Sequence, residues 1–159
     1  MRIAYLADYK EVIPKLAEWF YQEWFNLYPG KTIDDVKTAI GERTNRDAIP
    51  VALVALEGAE LVGTVCLKTH DMDTRLDLSP WLAGLYVAQP WRRQGIGTAL
   101  VKAIEQKAKA LGIRRLYLYT PSAEFFYVKM AWRAKETTNY HGVEVTIMEK
   151  EMALQLHVM

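Results

Sequence analysis

A chain of 159 residues that is 51% apolar and 25% charged is expected to fold as one soluble domain, 1–159, with a real core. Its formal net charge of +1 argues against a broad nucleic-acid or membrane surface. The lone cysteine, Cys66, makes no internal disulfide or cysteine metal cluster, and no apolar run approaches the roughly 18 residues of a membrane-spanning helix. The opening Met1-Arg2-Ile3-Ala4 lacks a signal-peptide pattern, so a cytoplasmic location is expected.

Arg2 to Leu6 reads as a short strand. A helix is expected from about Tyr9 to Tyr28, with Pro14 tolerable only in its first turn. Val12, Ile13, Leu16, Phe20, Trp24 and Leu27 share one face, and Trp19, Tyr21, Phe25 and Tyr28 add aromatics elsewhere. Pro29-Gly30 stops this helix, and Thr32 reads as the N-cap of a second one, with Asp34 and Asp35 in its first turn and its end near Arg43. Val51–Leu56 and Leu61–Leu67 read as a hairpin at the centre of a sheet, placing Cys66 in an apolar strand as a buried thiol. His70 to Ser79 is a polar loop in which Asp71, Asp73 and Asp77 surround Arg75.

Leu82-Ala83-Gly84-Leu85-Tyr86-Val87-Ala88 is the next strand, closed by Gln89-Pro90. Leu100, Val101, Ile104, Ala108 and Leu111 then carry helical spacing. Arg115 to Thr120 is a strand, Ala123 to Met130 is helical, and two strands near Arg133–Glu136 and Val143–Lys150 close the chain around an Asn139–Gly142 turn. The three histidines are scattered and receive no role.

Between strand and helix stands Arg92-Arg93-Gln94-Gly95-Ile96-Gly97-Thr98. Glycines let backbone approach a ligand closely, and the unpaired N–H groups of a helix's first turn favour an anion. Arg92 and Arg93 can add charge-assisted hydrogen bonds, so the stretch is expected to cradle phosphate or pyrophosphate. A dinucleotide-binding turn needs a small residue where Leu100 stands, and an acid about 20 residues on, where Tyr117-Leu118-Tyr119-Thr120 has none. No Gly-Lys-Ser/Thr follows to make a nucleotide-triphosphate loop.

The setting Tyr86-Val87-Ala88-x-Pro90-x-Arg92-Arg93-x-Gly95-Ile96-Gly97-Thr98-x-Leu100 resembles the acetyl-CoA-binding motif Arg/Gln-x-x-Gly-x-Gly/Ala of the GNAT (Gcn5-related) N-acetyltransferases. A second stretch, Ala123-Glu124-Phe125-Phe126-Tyr127-Val128-Lys129-Met130-Ala131-Trp132, is similar to that family's small-x-x-aromatic-Tyr-x-Lys-Leu-Gly-Phe helix, with Ala131 in place of the usual glycine. The order of elements agrees over nearly the whole chain. The resemblance implies an α/β (α+β) domain with a mixed, mostly antiparallel sheet flanked by helices, and a bulged, splayed strand at 82–88.

It also implies acetyl-CoA as co-substrate without a metal. The acceptor would be an amine of a small molecule or peptide, attacking the thioester directly in a ternary complex. Backbone at Leu85, Tyr86 and Val87 would meet pantetheine. Arg92, Arg93, Gln94, Gly95, Ile96, Gly97 and Thr98 would hold the pyrophosphate. Tyr127 would be the general acid that protonates the leaving thiolate, although its chemistry alone, without the motif, favours a packing role.

Several relatives carry a carboxylate on the splayed strand, and here none stands between Trp81 and Ala88. Asp71, Asp73 and Asp77 are the alternatives for a base, with Tyr86 a further site-facing possibility. Trp24, Leu27 and Tyr28 are candidates for the acceptor wall, and the aromatic excess points to a cleft or a subunit contact, including a homodimer. A non-catalytic domain that senses acyl-CoA is the alternative function.

Overall fold

The computed structural model describes residues 1–27 and 29–153. Seven strands form one sheet: β1 (Arg2–Tyr5), β2 (Val51–Glu57), β3 (Glu60–Lys68), β4 (Trp81–Val87), β5 (Arg115–Thr120), β6 (Arg133–Tyr140) and β7 (Val143–Glu151). Their order is β1-β2-β3-β4-β5-β7-β6. Each neighbouring pair is antiparallel except β4 and β5, which run parallel. The middle position thus belongs to β4, and the β2–β3 hairpin lies to one side of centre. Among the described residues no helix is long and apolar enough to cross a membrane.

Both faces of the sheet are covered, so strand side chains split by parity. Val51, Leu53 and Ala55 of β2 join one core; Ala52, Val54 and Leu56 join the other. Helix α3 (Ile96–Ala110) packs Leu100, Val101, Ile104 and Ala108 into the first core, each worth about 1–3 kcal/mol of buried apolar surface according to its size. On the opposite face lie α1 (Ile13–Trp24) and α2 (Ile33–Gly41), with Leu16, Ala17, Phe20, Val36 and Ile40 buried. Thr32 caps α2 in a reciprocal capping box with Asp35.

The first helix starts later than its apolar spacing suggests. Two 3-10 turns, Leu6–Asp8 and Lys10–Val12, precede it, and Pro14 sits in its first turn, where a missing N–H costs nothing. The loop after β3 is not wholly solvated, since Met72 and Leu78 are buried. The closing turn is only His141-Gly142, because β6 continues through Thr137, Thr138 and Asn139 to Tyr140, which pairs with Val143.

Candidate functional site

The centre of the sheet opens because β4 leaves its neighbours in two ways. Against β3, Thr64 pairs with Tyr86 and Cys66 with Ala83, so Gly84 and Leu85 together oppose Val65. That two-against-one count is a β-bulge, and Gly84 makes it at φ +62, a backbone setting that favours glycine. Against β5, only Trp81 pairs, with Tyr117. Beyond that point the two strands share no ladder, and a cleft of about 710 Å³ occupies the gap.

At the far end of β4 the chain makes a 3-10 turn, Gln89–Trp91, and enters α3 through Arg93 at φ 63 and Gly95 at φ 84. The first helical bond runs from Ala99 N–H to the Gly95 carbonyl, at 3.0 Å. The amides of Ile96, Gly97 and Thr98 therefore precede the helical ladder, and no side chain caps them. Uncapped amides at the positive end of a helix of 15 residues can hold an anion. Trp91 Nε1 bonds Glu60 at 3.0 Å and ties this loop to β3.

The basic side chains of this loop are partly committed. Arg92 donates through Nε to the Val87 carbonyl at 2.8 Å and lies 5.3 Å over the Tyr86 ring. Gln94 reaches the Pro90 carbonyl at 3.4 Å. Leu85 lines the cleft, and Val87 borders the start of α3, where its Cγ2 would stand 3.8 Å from a Cβ on Gly97. Tyr86 turns to the opposite face and stacks on Trp19 at 4.9 Å. Its ring belongs to the α1 packing, so it does not face the cleft.

Short helix α4 (Glu124–Val128) carries Tyr127 to the cleft wall. The ring packs edge-on against Phe126 and Trp132, at 5.0 and 6.2 Å. Among the described residues its hydroxyl has no hydrogen-bond partner, and burial pushes the phenol up to about 12. Phe126 lines the same cleft, and its Cζ would lie 3.4 Å from a Cβ on Gly97, so it links the cleft to the first turn of α3. Buried Glu105 of α3 accepts from Trp132 Nε1 at 3.1 Å and from Lys150 Nζ at 2.7 Å, which fixes α4 against α3 and β7.

The turn ending α4 is a Schellman motif, with Trp132 N–H to the Tyr127 carbonyl and Ala131 N–H to the Val128 carbonyl. Ala131 occupies its left-handed position at φ 69 without being glycine. Replacing it should relieve that strain. Ala131→Gly is expected to raise stability by about 1 kcal/mol, read as a Tm higher by roughly 3 °C in thermal unfolding.

Of the three loop aspartates, Asp71 and Asp73 line the cleft and Asp77 does not. Asp71 is bonded to Lys68 at 3.2 Å. Asp73 lies 3.6 Å from His141 Nε2, and its backbone N–H donates to the Tyr140 hydroxyl at 3.3 Å. Two bonds from Arg75, each 3.0 Å, clamp Asp77 outside and hold its carboxyl below the ordinary range. Trp24 and Leu27 both reach the cleft from α1 and the 3-10 turn after it. Tyr28 and His157 lie outside the described residues. Arg43, 8% exposed, also lines the cleft; a basic residue just past a helix end carries no signal in its sequence neighbourhood that would single it out. Among the described residues no group of three His, Cys, Asp or Glu side chains is arranged to hold a metal ion.

Residues 13–132 match the family model described as acetyltransferase (GNAT) family. The fold is similar to an aminoglycoside 6'-N-acetyltransferase complexed with coenzyme A, with TM-score 0.76 and 18% identity, covering 98% of this chain and 99% of that one. It is also similar to the aminoglycoside 6'-N-acetyltransferase from Enterococcus faecium (TM-score 0.73, 19% identity, 98% and 99% covered). A third match is an N-acetyltransferase from Staphylococcus aureus Mu50 (TM-score 0.73, 18% identity, 96% and 98% covered). At these identities the likeness concerns the fold.

Proposed function

This chain belongs to the acetyltransferase (GNAT) family, and from that membership we propose that it moves an acetyl group from acetyl-CoA to a primary amine of a small molecule or peptide, by direct attack in a ternary complex. It is an acetyl-CoA-dependent acyltransferase, and what the site adds is a reading of how the transfer is made. The observation that carries this reading is an adjacency: the cleft that holds the Gly84-Leu85 bulge and Tyr127 is lined by Phe126, which packs beside Gly97 in the uncapped first turn of α3.

On this reading the amides from Arg93 to Thr98 hold the pyrophosphate, with the guanidinium of Arg92 and the Arg93 side chain adding charge. The pantetheine arm lies in the gap between β4 and β5 and pairs with backbone at Leu85 and Val87, as an added strand would. Tyr86 contributes backbone only, its ring being stacked on Trp19. Backbone N–H at the bulge polarises the thioester oxygen. The amine nitrogen attacks the carbonyl carbon, the C–S bond breaks, and the sulfur takes the phenolic proton of Tyr127. The proton lost by the amine leaves through water towards Asp71 or Asp73. Trp24 and Leu27 wall the acceptor.

A cytoplasmic location and a homodimer belong to the same proposal, and the exposed rings of Phe25 and Phe125 offer apolar surface to a second copy. The bare strand from Trp81 to Ala88, without a carboxylate, favours one other reading, a domain that binds acyl-CoA as a sensor. Free-thiol release from acetyl-CoA, measured against polyamines, aminoglycosides, amino acids and short peptides, separates the two. Turnover with one acceptor class is expected. Silence across the panel, with acetyl-CoA bound in a thermal-shift control, would favour the sensor.

A further inference from the structure

Arg43 follows α2 and ends beneath the β4 bulge. Its Nη1 would lie 3.3 Å from a Cβ placed on Gly84, so the glycine that forms the bulge also leaves room for the guanidinium. One face of the group rests 5.6 Å from the centre of the Phe20 ring. Among the described residues the structure records no ion pair or hydrogen bond of its side chain, and none of its nitrogens is a sealed, unpartnered atom, so the guanidinium meets the open cleft. A guanidinium cannot shed its proton, and burying an unpaired charge is costly. The contact with Phe20 offsets part of that cost, because a ring face attracts a cation.

The acids sharing the cleft do not supply the missing anion. Asp71 is held by Lys68 at 3.2 Å, Asp73 lies by His141 and Tyr140, and Glu23 is exposed on α1. The open direction for Arg43 is the cleft itself, at the point where the transfer reading puts the thioester.

Resting on that reading, we propose that Arg43 binds a carboxylate of the acceptor, so that the substrate is an amino acid or a closely related amine carrying a carboxylate near its nucleophilic nitrogen. A planar guanidinium takes a carboxylate through two parallel bonds at about 2.8 Å. With the carboxylate fixed beside Gly84, an amine one or two carbons away is held against the thioester, which is orientation gained from binding. A polycationic acceptor would bring ammonium groups against Arg43 and is selected against by like-charge repulsion.

The test compares L-amino acids with their α-carboxamides and with aminoglycosides as acceptors in thiol release, using wild type and Arg43→Gln. Wild type is expected to favour the acids by at least about 30-fold in kcat/KM, the low end for a desolvated charge pair. Arg43→Gln is expected to lose about 100-fold with the acids, to keep its rate with the amides, and to retain acetyl-CoA affinity. Equal use of acids and amides, or a preference for aminoglycosides, overturns the proposal and leaves acetyl transfer intact. A preference for acids that persists in Arg43→Gln overturns it too. A second arm needs neither turnover nor a variant: calorimetry of N-acetyl-amino acids and their amides binding to the coenzyme A-loaded wild type. Selective binding of the acids without thiol release from any amine supports the anchor and removes the acetyltransfer reading. Failure of every N-acetyl-amino acid to bind overturns the anchor.

Discussion

Gly97→Asp is expected to abolish coenzyme A binding while the protein stays folded. Gly97 lies in the first turn of α3, where an acidic residue suits the helix dipole and costs the fold little. A Cβ there meets Phe126 Cζ at 3.4 Å and Val87 Cγ2 at 3.8 Å, which is ordinary contact. What changes is the charge offered to the ligand. A carboxylate among the amides of Ile96, Gly97 and Thr98 takes up their hydrogen bonds and repels the pyrophosphate. Calorimetry with acetyl-CoA, beside a thermal unfolding curve, checks both halves. Tight binding by the variant would remove the cradle from the first turn of α3.

Tyr127→Phe is expected to lower kcat by ~10²-fold with little change in acetyl-CoA affinity. The ring and its packing on Phe126 and Trp132 survive the change, so only the hydroxyl is lost. Burial raises the phenol from 10.0 to about 12, so it remains a proton donor throughout the neutral and mildly alkaline range. Wild-type activity should therefore show no alkaline fall owed to Tyr127 below pH ~10. The same shift makes its stability contribution complete below the unfolded value of 10.0 and lost as pH rises towards about 12, since the unfolded chain ionises first. An unchanged kcat in the variant would assign proton donation to another group.

What was legible in the sequence was local. The proposed anion cradle is a strand, a turn and a helix written in contiguous residues, and Gly95 and the first turn of α3 stand where that spelling puts them. Tyr127 was located by the motif around it, and its burial followed. Packing between distant segments was not legible. Asn139-Tyr140-His141-Gly142 reads as a turn from composition, yet Tyr140 is buried 5.3 Å from the Tyr119 ring, which carries β6 onward through it. Asp77 resembles its neighbours in sequence, and only Arg75, also paired with Glu136 of β6, removes it from the cleft. Arg43 gains meaning from Gly84 and Phe20, neither of them near it in the chain.

The β4 bulge covers one more group. Cys66, 1% exposed, lies on β3 with its Sγ 3.6 Å from the place a Cβ on Gly84 would take. Burial pushes its thiol up, away from the reactive thiolate. An acetyl-CoA-dependent enzyme releases a free thiol at every turnover, and oxidised forms of that thiol exchange with any accessible cysteine. With its single cysteine sealed beneath β4, this chain offers no accessible thiol to such exchange, and Cys66 is expected to resist mixed-disulfide formation with oxidised coenzyme A.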